Sequence, residues 1–178
     1  MKLYDGGRAA NPRRVRIFLA EKGISVPLEP VDIATKQHRT ESFAAINPMQ
    51  RLPALELDDG TVIAESIAIC RYIEEIHPQP PLFGTGALER AEVEMWQRRV
   101  EFNLLATIAQ VYRHAHPSAK ILERPQVPDW AESNRSKALV AMERFDEALR
   151  DRTFIAGENF SVADITGLVA LDFVRPAR

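Results

Sequence analysis

Two adjacent residues, Glu65 and Ser66, stand where the sequence changes its period. Before them, Ala54-Leu55-Glu56-Leu57 and Thr61-Val62-Ile63 flank Asp58-Asp59-Gly60. An Asp-Gly pair between two short apolar runs predicts a β-hairpin. After them, Ile69, Cys70, Ile73 and Ile76 recur at helical spacing. Glu65-Ser66 is therefore expected at a helix N-terminus, where free backbone N–H groups and the positive end of the helix dipole favour an anion. The other use of such a pair is ordinary capping of the helix. Pro53 heads the hairpin, and because proline cannot donate to a ladder it belongs at a strand's first residue, an edge or a bulge. Cys70 invites reading as a nucleophile, yet it shares the apolar stripe of Ile69 and Ile73. Reactive cysteines need a partly exposed electropositive setting, so Cys70 is expected in the core.

The elements that must position these residues follow from the same patterns. Lys2-Leu3-Tyr4 reads as a short strand, and Asn11-Pro12 as an N-cap with proline in the first turn. Val15, Phe18 and Leu19 form the stripe of that helix, which Gly23 closes. Leu28 to Ile33 reads as a second strand, and 35–46 as an irregular polar segment or short helix. This gives a β-α-β, β-β-α order over residues 1–78. Residues 79–85, Gln79-Pro80-Pro81-Leu82-Phe83-Gly84-Thr85, read as a stiff Pro-rich linker. Residues 86–178 are helical throughout. Val93, Trp96, Val100, Leu104, Ile108 and Val111 make one stripe, and Ala138, Met142, Phe145 and Leu149 a second. Ser161 and Asp164 form a capping box for a third helix, with Phe160 and Ile165 spaced as a hydrophobic staple.

Composition narrows the function classes. The chain has 178 residues, 46% apolar and 27% charged, with a formal net charge of −2. That balance carries no electrostatic footprint for nucleic acid. No apolar run approaches the ~20 residues of a membrane span, and the opening Met1-Lys2-Leu3-Tyr4-Asp5-Gly6-Gly7 breaks too soon for a signal peptide. A single cysteine excludes an internal disulfide and fits a cytoplasmic location.

Taken together, "NPMQRLPALELDDGTVIAES", the helix "IAICRYIEEIHP", the Pro-rich linker and "FIAGENFSVADITGLVAL" resemble the cytosolic glutathione S-transferases of bacterial type, across essentially the whole chain. The resemblance implies an α/β plus all-α fold, with a thioredoxin-like N-terminal domain and an all-helical C-terminal domain. It further implies a homodimer and a detoxifying transferase that conjugates glutathione to a small electrophile. No metal or prosthetic group is implied, glutathione being a co-substrate. It implies a cis Leu52–Pro53 bond, with the Leu52 backbone pairing the cysteinyl unit of glutathione as an added strand. Ser66 would take the γ-glutamyl carboxylate and Glu65 the ammonium. Gln50, Arg51 and His38 would serve the glycine carboxylate, although His38 reads equally as a solvated loop residue.

The first loop, "GGRAANPRRVR", departs from the family. The position that commonly holds Ser or Thr falls on Ala9, and the one that holds Cys or Ser in some classes falls on Asn11. Two residues remain for the thiolate: Tyr4, a packing residue in Ser-type relatives, and Asn11, which resembles an asparagine that some members hold near the sulfur. A donor to a charged group contributes about 1.5–3 kcal/mol, and a helix dipole about 0.3–1. Together these could lower a thiol pKa by roughly one to three pH units from about 8.5. A glutathione-dependent disulfide reductase and a non-catalytic glutathione-binding or interaction protein on the same fold are the alternatives. The chain stops just past its third clear C-terminal helix, where family members continue, so the helical domain is expected to be incomplete.

Overall fold

The computed structural model describes residues 1–177, which form two compact units, Met1–Pro81 and a second that begins at Leu82. Leu82 and Phe83, expected in a linker, are buried, and the Leu82 carbonyl accepts from the Val162 N–H at 2.9 Å.

The first unit is built on strands β1 (Lys2–Asp5), β2 (Leu28–Pro30), β3 (Ala54–Glu56) and β4 (Val62–Ala64), in the order β2-β1-β3-β4. β1 runs parallel to β2 and antiparallel to β3, and β3 pairs antiparallel with β4. This is the thioredoxin-like arrangement. Alternation along the strands gives the sheet two faces. Tyr4 and Ala54 on one face cluster with Val31 and Phe43, whereas Leu3 and Leu55 point to the other and are fully buried. The helices of this unit are α1 (Ala10–Glu21), α2 (Glu41–Ile46) and α3 (Ser66–Ile76). Asp58-Asp59-Gly60 makes the turn between β3 and β4, with Gly60 at φ 85° and its N–H on the Leu57 carbonyl at 3.0 Å. Gly23, at φ 66°, ends α1. Its N–H reaches the Ala20 carbonyl and the Ile24 N–H the Leu19 carbonyl, both at 2.9 Å, a paired closure of the last turn.

Two expectations change here. α1 starts two residues early: its N-cap is Ala9, so Asn11 is the second helical residue and not the cap. Pro12 takes the third position, where its missing N–H is no loss because a first-turn N–H has no helical partner. β2 stops at Pro30 instead of reaching Ile33. Beyond it the Asp32 carboxylate accepts from the Ala34 N–H at 2.8 Å, and the Asp32 N–H bonds the Gln37 side chain at 2.8 Å. Those local bonds take the backbone out of the ladder.

A buried cation ties α1 to the end of α3. Lys22, the residue after α1, is 8% exposed. Its Nζ pairs with the Glu74 carboxylate and donates to the carbonyls of His77, at 2.8 Å, and Pro80. All three ammonium protons are used, and the charge sits at the negative end of α3.

The second unit comprises α4 (Gly86–Val100), a π-helical turn over Glu101–Leu105, α5 (Ala106–Ala115), α6 (Pro128–Leu149) and α7 (Val162–Val174). The long stripe is buried at Val93, Val100, Leu104, Ile108 and Val111, with the wide turn between its two helices, and Trp96 is half-buried. On α6 the buried face is Ala131, Asn134, Ala138 and Ala141, not the larger Met142 and Leu149. Small side chains let α6 lie close to α5, and Phe145 turns to Trp96 at 6.3 Å between ring centroids. Within the core, Thr166 Oγ1 donates to Gln97 Oε1 at 2.6 Å, joining α7 to α4.

The capping box forms as the spacing predicts. Ser161 Oγ accepts from the Ala163 N–H, and the Asp164 carboxylate accepts from the Ser161 N–H at 2.8 Å. Asp164 also holds the Ile155 N–H at 2.8 Å. Ser161→Ala should therefore lower stability by about 0.5–2 kcal/mol while glutathione affinity of the folded protein is unchanged. A thermal melt paired with calorimetric titration checks both halves. No helix among the described residues is long and apolar enough to cross a membrane.

Candidate functional site

The strand register gathers the predicted residues at one end of the sheet. Tyr4 lies opposite Ala54, and Ala54 opposite Ala64. The residues one step further along, Asp5 on β1, Pro53 before β3 and Glu65 after β4, are thus neighbours at a common edge. From this edge the chain enters α1 through Gly6–Ala9 and α3 directly through Glu65-Ser66.

The loop into α1 is held by an ion pair between Arg16 and Asp5. Arg16 also donates to the Gly7 carbonyl at 2.8 Å, and Asp5 accepts the Gly7 N–H at 3.1 Å. No side chain caps α1. Asn11 is exposed in its first turn and is the one side-chain donor among Ala9, Ala10, Asn11 and Pro12. Tyr4 is committed elsewhere. Its hydroxyl donates to Glu56 Oε2 at 2.6 Å, and its ring meets Phe43 edge-on at 5.9 Å. Burial, followed by the bond to Glu56, raises the phenol pKa above its ordinary value.

The loop from Asn47 to Pro53 is shaped by a residue that the sequence reading passed over. Asn47 is 3% exposed, donates to the Arg51 carbonyl at 2.8 Å and accepts from the Met49 N–H at 3.1 Å. An asparagine before proline is a turn former, and that was the available signal. Gln50 has φ 52° and closes the turn onto the Asn47 carbonyl at 2.8 Å. The Leu52–Pro53 bond is cis. The Leu52 N–H and carbonyl have no hydrogen-bond partner among the described residues. Pro53 is buried, Leu52 half-buried and Arg51 exposed.

His38 is buried, not solvated, in a single 3₁₀ turn over Gln37–Arg39. Its Nδ1 has no hydrogen-bond partner. Burial pushes the imidazole pKa below the usual histidine range, and the charges of Arg39 and Arg51 push it further. Gln50 Nε2 lies 3.5 Å from the Arg39 carbonyl. The structure therefore brings His38, Gln50 and Arg51 to one basic corner and adds Arg39, which no sequence pattern singled out.

At the start of α3, Glu65 is exposed and is the N-cap, at φ 65° and ψ 118°. A non-glycine residue held there costs of the order of 1–3 kcal/mol, an outlay that typically marks a functional turn. Ser66 is the first helical residue and is 5% exposed. Its Oγ accepts from Arg14 Nη1 at 2.9 Å. Arg14 comes from α1 and is 1% exposed. Cys70, one turn further on, is fully buried, and burial pushes its thiol pKa up to about 12. That thiol stays protonated and inert at neutral pH.

The second unit holds a polar cluster of its own. The Tyr112 hydroxyl and His116 Nδ1 share Ser118 Oγ, at 2.9 and 2.8 Å, with the two rings stacked at 5.0 Å. Among the described residues no group of three metal-ligating side chains lies together.

Chemically, the edge of the first unit offers unpaired backbone for an extended peptide and a helix start with a hydroxyl and a carboxylate. It also offers a basic corner and an uncapped helix N-terminus. The family model described as glutathione S-transferase, N-terminal domain, matches residues 1–75, and that for the C-terminal domain matches residues 104–177. The chain is 39% identical over 176 residues to glutathione S-transferase 2 of Saccharomyces cerevisiae, covering 97% of this chain and 76% of that one. It is 31% identical over 165 residues to a maleylacetoacetate isomerase of Rattus norvegicus, covering 92% and 73%. A solved structure of a glutathione S-transferase domain-containing protein from Marinobacter aquaeolei superposes with a TM-score of 0.94 at 40% identity, covering 99% of this chain and 88% of that one. With both domain models matched and this identity sustained along the chain, the protein belongs to the glutathione S-transferase family.

Proposed function

We propose that the chain is a glutathione transferase that binds glutathione on its first unit, holds the thiol as thiolate and conjugates it to a small electrophile. The observation that carries this is the convergence of the α1 start, the Leu52–Pro53 edge and Glu65-Ser66 at one end of the sheet. A tripeptide with a charged group at either end needs such a spread. The γ-glutamyl carboxylate meets the Ser66 hydroxyl and the first-turn N–H groups of α3, and its ammonium meets Glu65. The cysteinyl N–H and carbonyl add as a strand to Leu52. The glycine carboxylate faces Gln50, Arg51 and His38. The sulfur then lies toward α1, where Asn11 and the helix dipole stabilise its charge. In the chemical step the thiol proton goes to solvent, the sulfur forms a bond to the electrophilic carbon, and the leaving group departs with its electron pair. Glutathione is consumed as a co-substrate, and the reading calls for no metal or prosthetic group.

The protein is further proposed to act in the cytoplasm as a detoxifying homodimer without a nucleic-acid or membrane partner. An activated aryl halide should be converted to its glutathione thioether by the purified protein, and sedimentation at micromolar concentration should give twice the chain mass. Absence of both binding and turnover would remove the assignment. Likeness to an isomerase gives a second reading, in which the same thiolate adds to an activated alkene and leaves again after rotation about the former double bond. Turnover of such an alkene with glutathione returned unconsumed would select it.

A further inference from the structure

We infer that the cavity between α4 and α6 in the second unit binds a nucleoside phosphate, a planar base joined to a short phosphate chain. None of its residues is among those assigned to glutathione. The cavity has a volume of about 620 Å³, within the ~300–1,000 Å³ range of small-molecule sites. Arg99 lines it from α4, and Lys137 and Arg144 from α6, with no carboxylate on its wall among the described residues. The chain as a whole is net −2, so three cations gathered without an acid run against its balance. Arg99 rests on the Trp96 ring at 4.7 Å and Lys137 on the Trp130 ring at 4.8 Å. Neither these two nor Arg144 forms an ion pair among the described residues. A cleft lined by one sign of charge focuses its field and draws in the opposite charge. A di- or triphosphate matches three cations; a single carboxylate does not.

The rings define the rest of the ligand. Trp96 lines the cavity with Phe145 tilted against it at 6.3 Å. The guanidinium groups of Arg99 and Arg152 lie 4.7 and 5.0 Å from the Trp96 ring. Nucleobases stack on aromatic rings and on guanidinium planes alike, so this group is a platform for one. A wholly apolar anion would leave Asn103 and Ser136 on the wall without use. Asn103 Nδ2 is spent on the Arg99 carbonyl at 2.9 Å, which leaves its Oδ1 to accept from a base amine. Ser136, next to Lys137 on α6, offers a hydroxyl to phosphate. The π-helical turn brings the α4 side of the wall together. Residues four apart drift by about 40° around a regular α-helix, whose turn takes 3.6 residues. The wider turn over Glu101–Leu105 takes up that drift, so Arg99, Asn103 and Thr107 reach one cavity. Thr107 Oγ1 secures it by donating to the Asn103 and Leu104 carbonyls, at 2.7 and 2.8 Å. Such turns recur at functional sites. Confinement to a cavity selects a mononucleotide over a nucleic-acid strand, which needs a basic groove that follows its backbone.

The test is calorimetric titration of the full chain with ATP, inorganic triphosphate and adenosine, each with a chelator to exclude divalent cations. ATP should bind once per chain, with triphosphate about tenfold weaker for want of stacking. Adenosine should be at least about a hundredfold weaker, since it meets none of the cations. Arg144→Gln should weaken ATP and triphosphate alike, by about tenfold. Trp96→Leu should weaken ATP about tenfold and leave triphosphate within about twofold. Glutathione affinity should be the same in both variants as in the parent, and glutathione should not displace ATP. Should Trp96→Leu not fold, Trp130→Phe leaves Trp96 as the sole tryptophan, and its emission should be quenched by ATP and not by triphosphate. No ATP binding, ATP binding that neither Arg144→Gln nor Trp96→Leu weakens, or triphosphate bound as tightly as ATP would overturn the inference. Displacement of ATP by glutathione, or a single-stranded oligonucleotide bound more tightly than ATP, would do so as well.

Discussion

Lys22→Ala is expected to destabilise the first unit by about 3–5 kcal/mol, the cost of removing one member of a buried ion pair. The reason is geometric. Lys22 and Glu74 are 8% and 7% exposed, so water cannot replace the lost ammonium at the carboxylate. The His77 and Pro80 carbonyls lose a donor at the same time. Each such loss in a closed place adds about 1–3 kcal/mol unless the structure opens to admit water. Hydrogen exchange of the Leu55 and Ile73 amides, both in the core of this unit, reads the effect where it occurs. Exchange should accelerate by at least a hundredfold in Lys22→Ala. Lys22→Met combined with Glu74→Leu should recover part of the loss, because an apolar pair of similar volume can match a buried ion pair. A single variant with near-native exchange would show that the ion pair contributes little.

The second large effect concerns the sulfur. Asn11→Ala is expected to raise the pKa of bound glutathione's thiol by one or more, since losing a donor to a charged group costs at least about 1.5 kcal/mol. Tyr4→Phe should leave that pKa nearly unchanged. The Tyr4 proton is already given to Glu56 at 2.6 Å, and reaching a ligand would break both that bond and the edge-on contact with Phe43. Asn11 has neither commitment: it is exposed in the first turn of α1, with the helix dipole behind it. Thiolate absorbance against pH, measured in the glutathione complex of each variant, ranks the two residues. The reverse ranking would move the role to Tyr4.

What could be read from the sequence was local. The Asp-Gly turn, the Gly23 closure of α1 and the Ser161–Asp164 box each depend on residues within five positions of one another, and each forms as expected. The start of α3 was legible for the same reason, because two short periods meet there. What escaped notice spans long stretches of chain. Arg14 and Ser66 are 52 residues apart, and the carbonyls that Lys22 holds lie 55 and 58 residues away. Nothing in a run of Arg and Lys residues tells which one will be buried, since most remain at the surface. The buried face of α6 departs from the expected stripe of Ala138, Met142, Phe145 and Leu149, sharing only Ala138 with it. At a close helix–helix contact, room for the backbone decides, and Ala131, Ala138 and Ala141 supply it. His38 was ambiguous in sequence because a single 3₁₀ turn gives no periodicity to read.

The backbone at Glu65 sets two kinds of selection against each other. A glycine there would relax the φ of 65°, recovering part of the ~1–3 kcal/mol that the turn stores. It would also delete the carboxylate proposed to hold the ligand's ammonium. Random libraries of this scaffold screened for heat resistance alone should therefore accumulate glycine at 65, whereas libraries screened on immobilised glutathione should keep glutamate. Heat-hardened descendants would then emerge as poorer binders, the usual trade between robustness and a strained site, localised here to one residue.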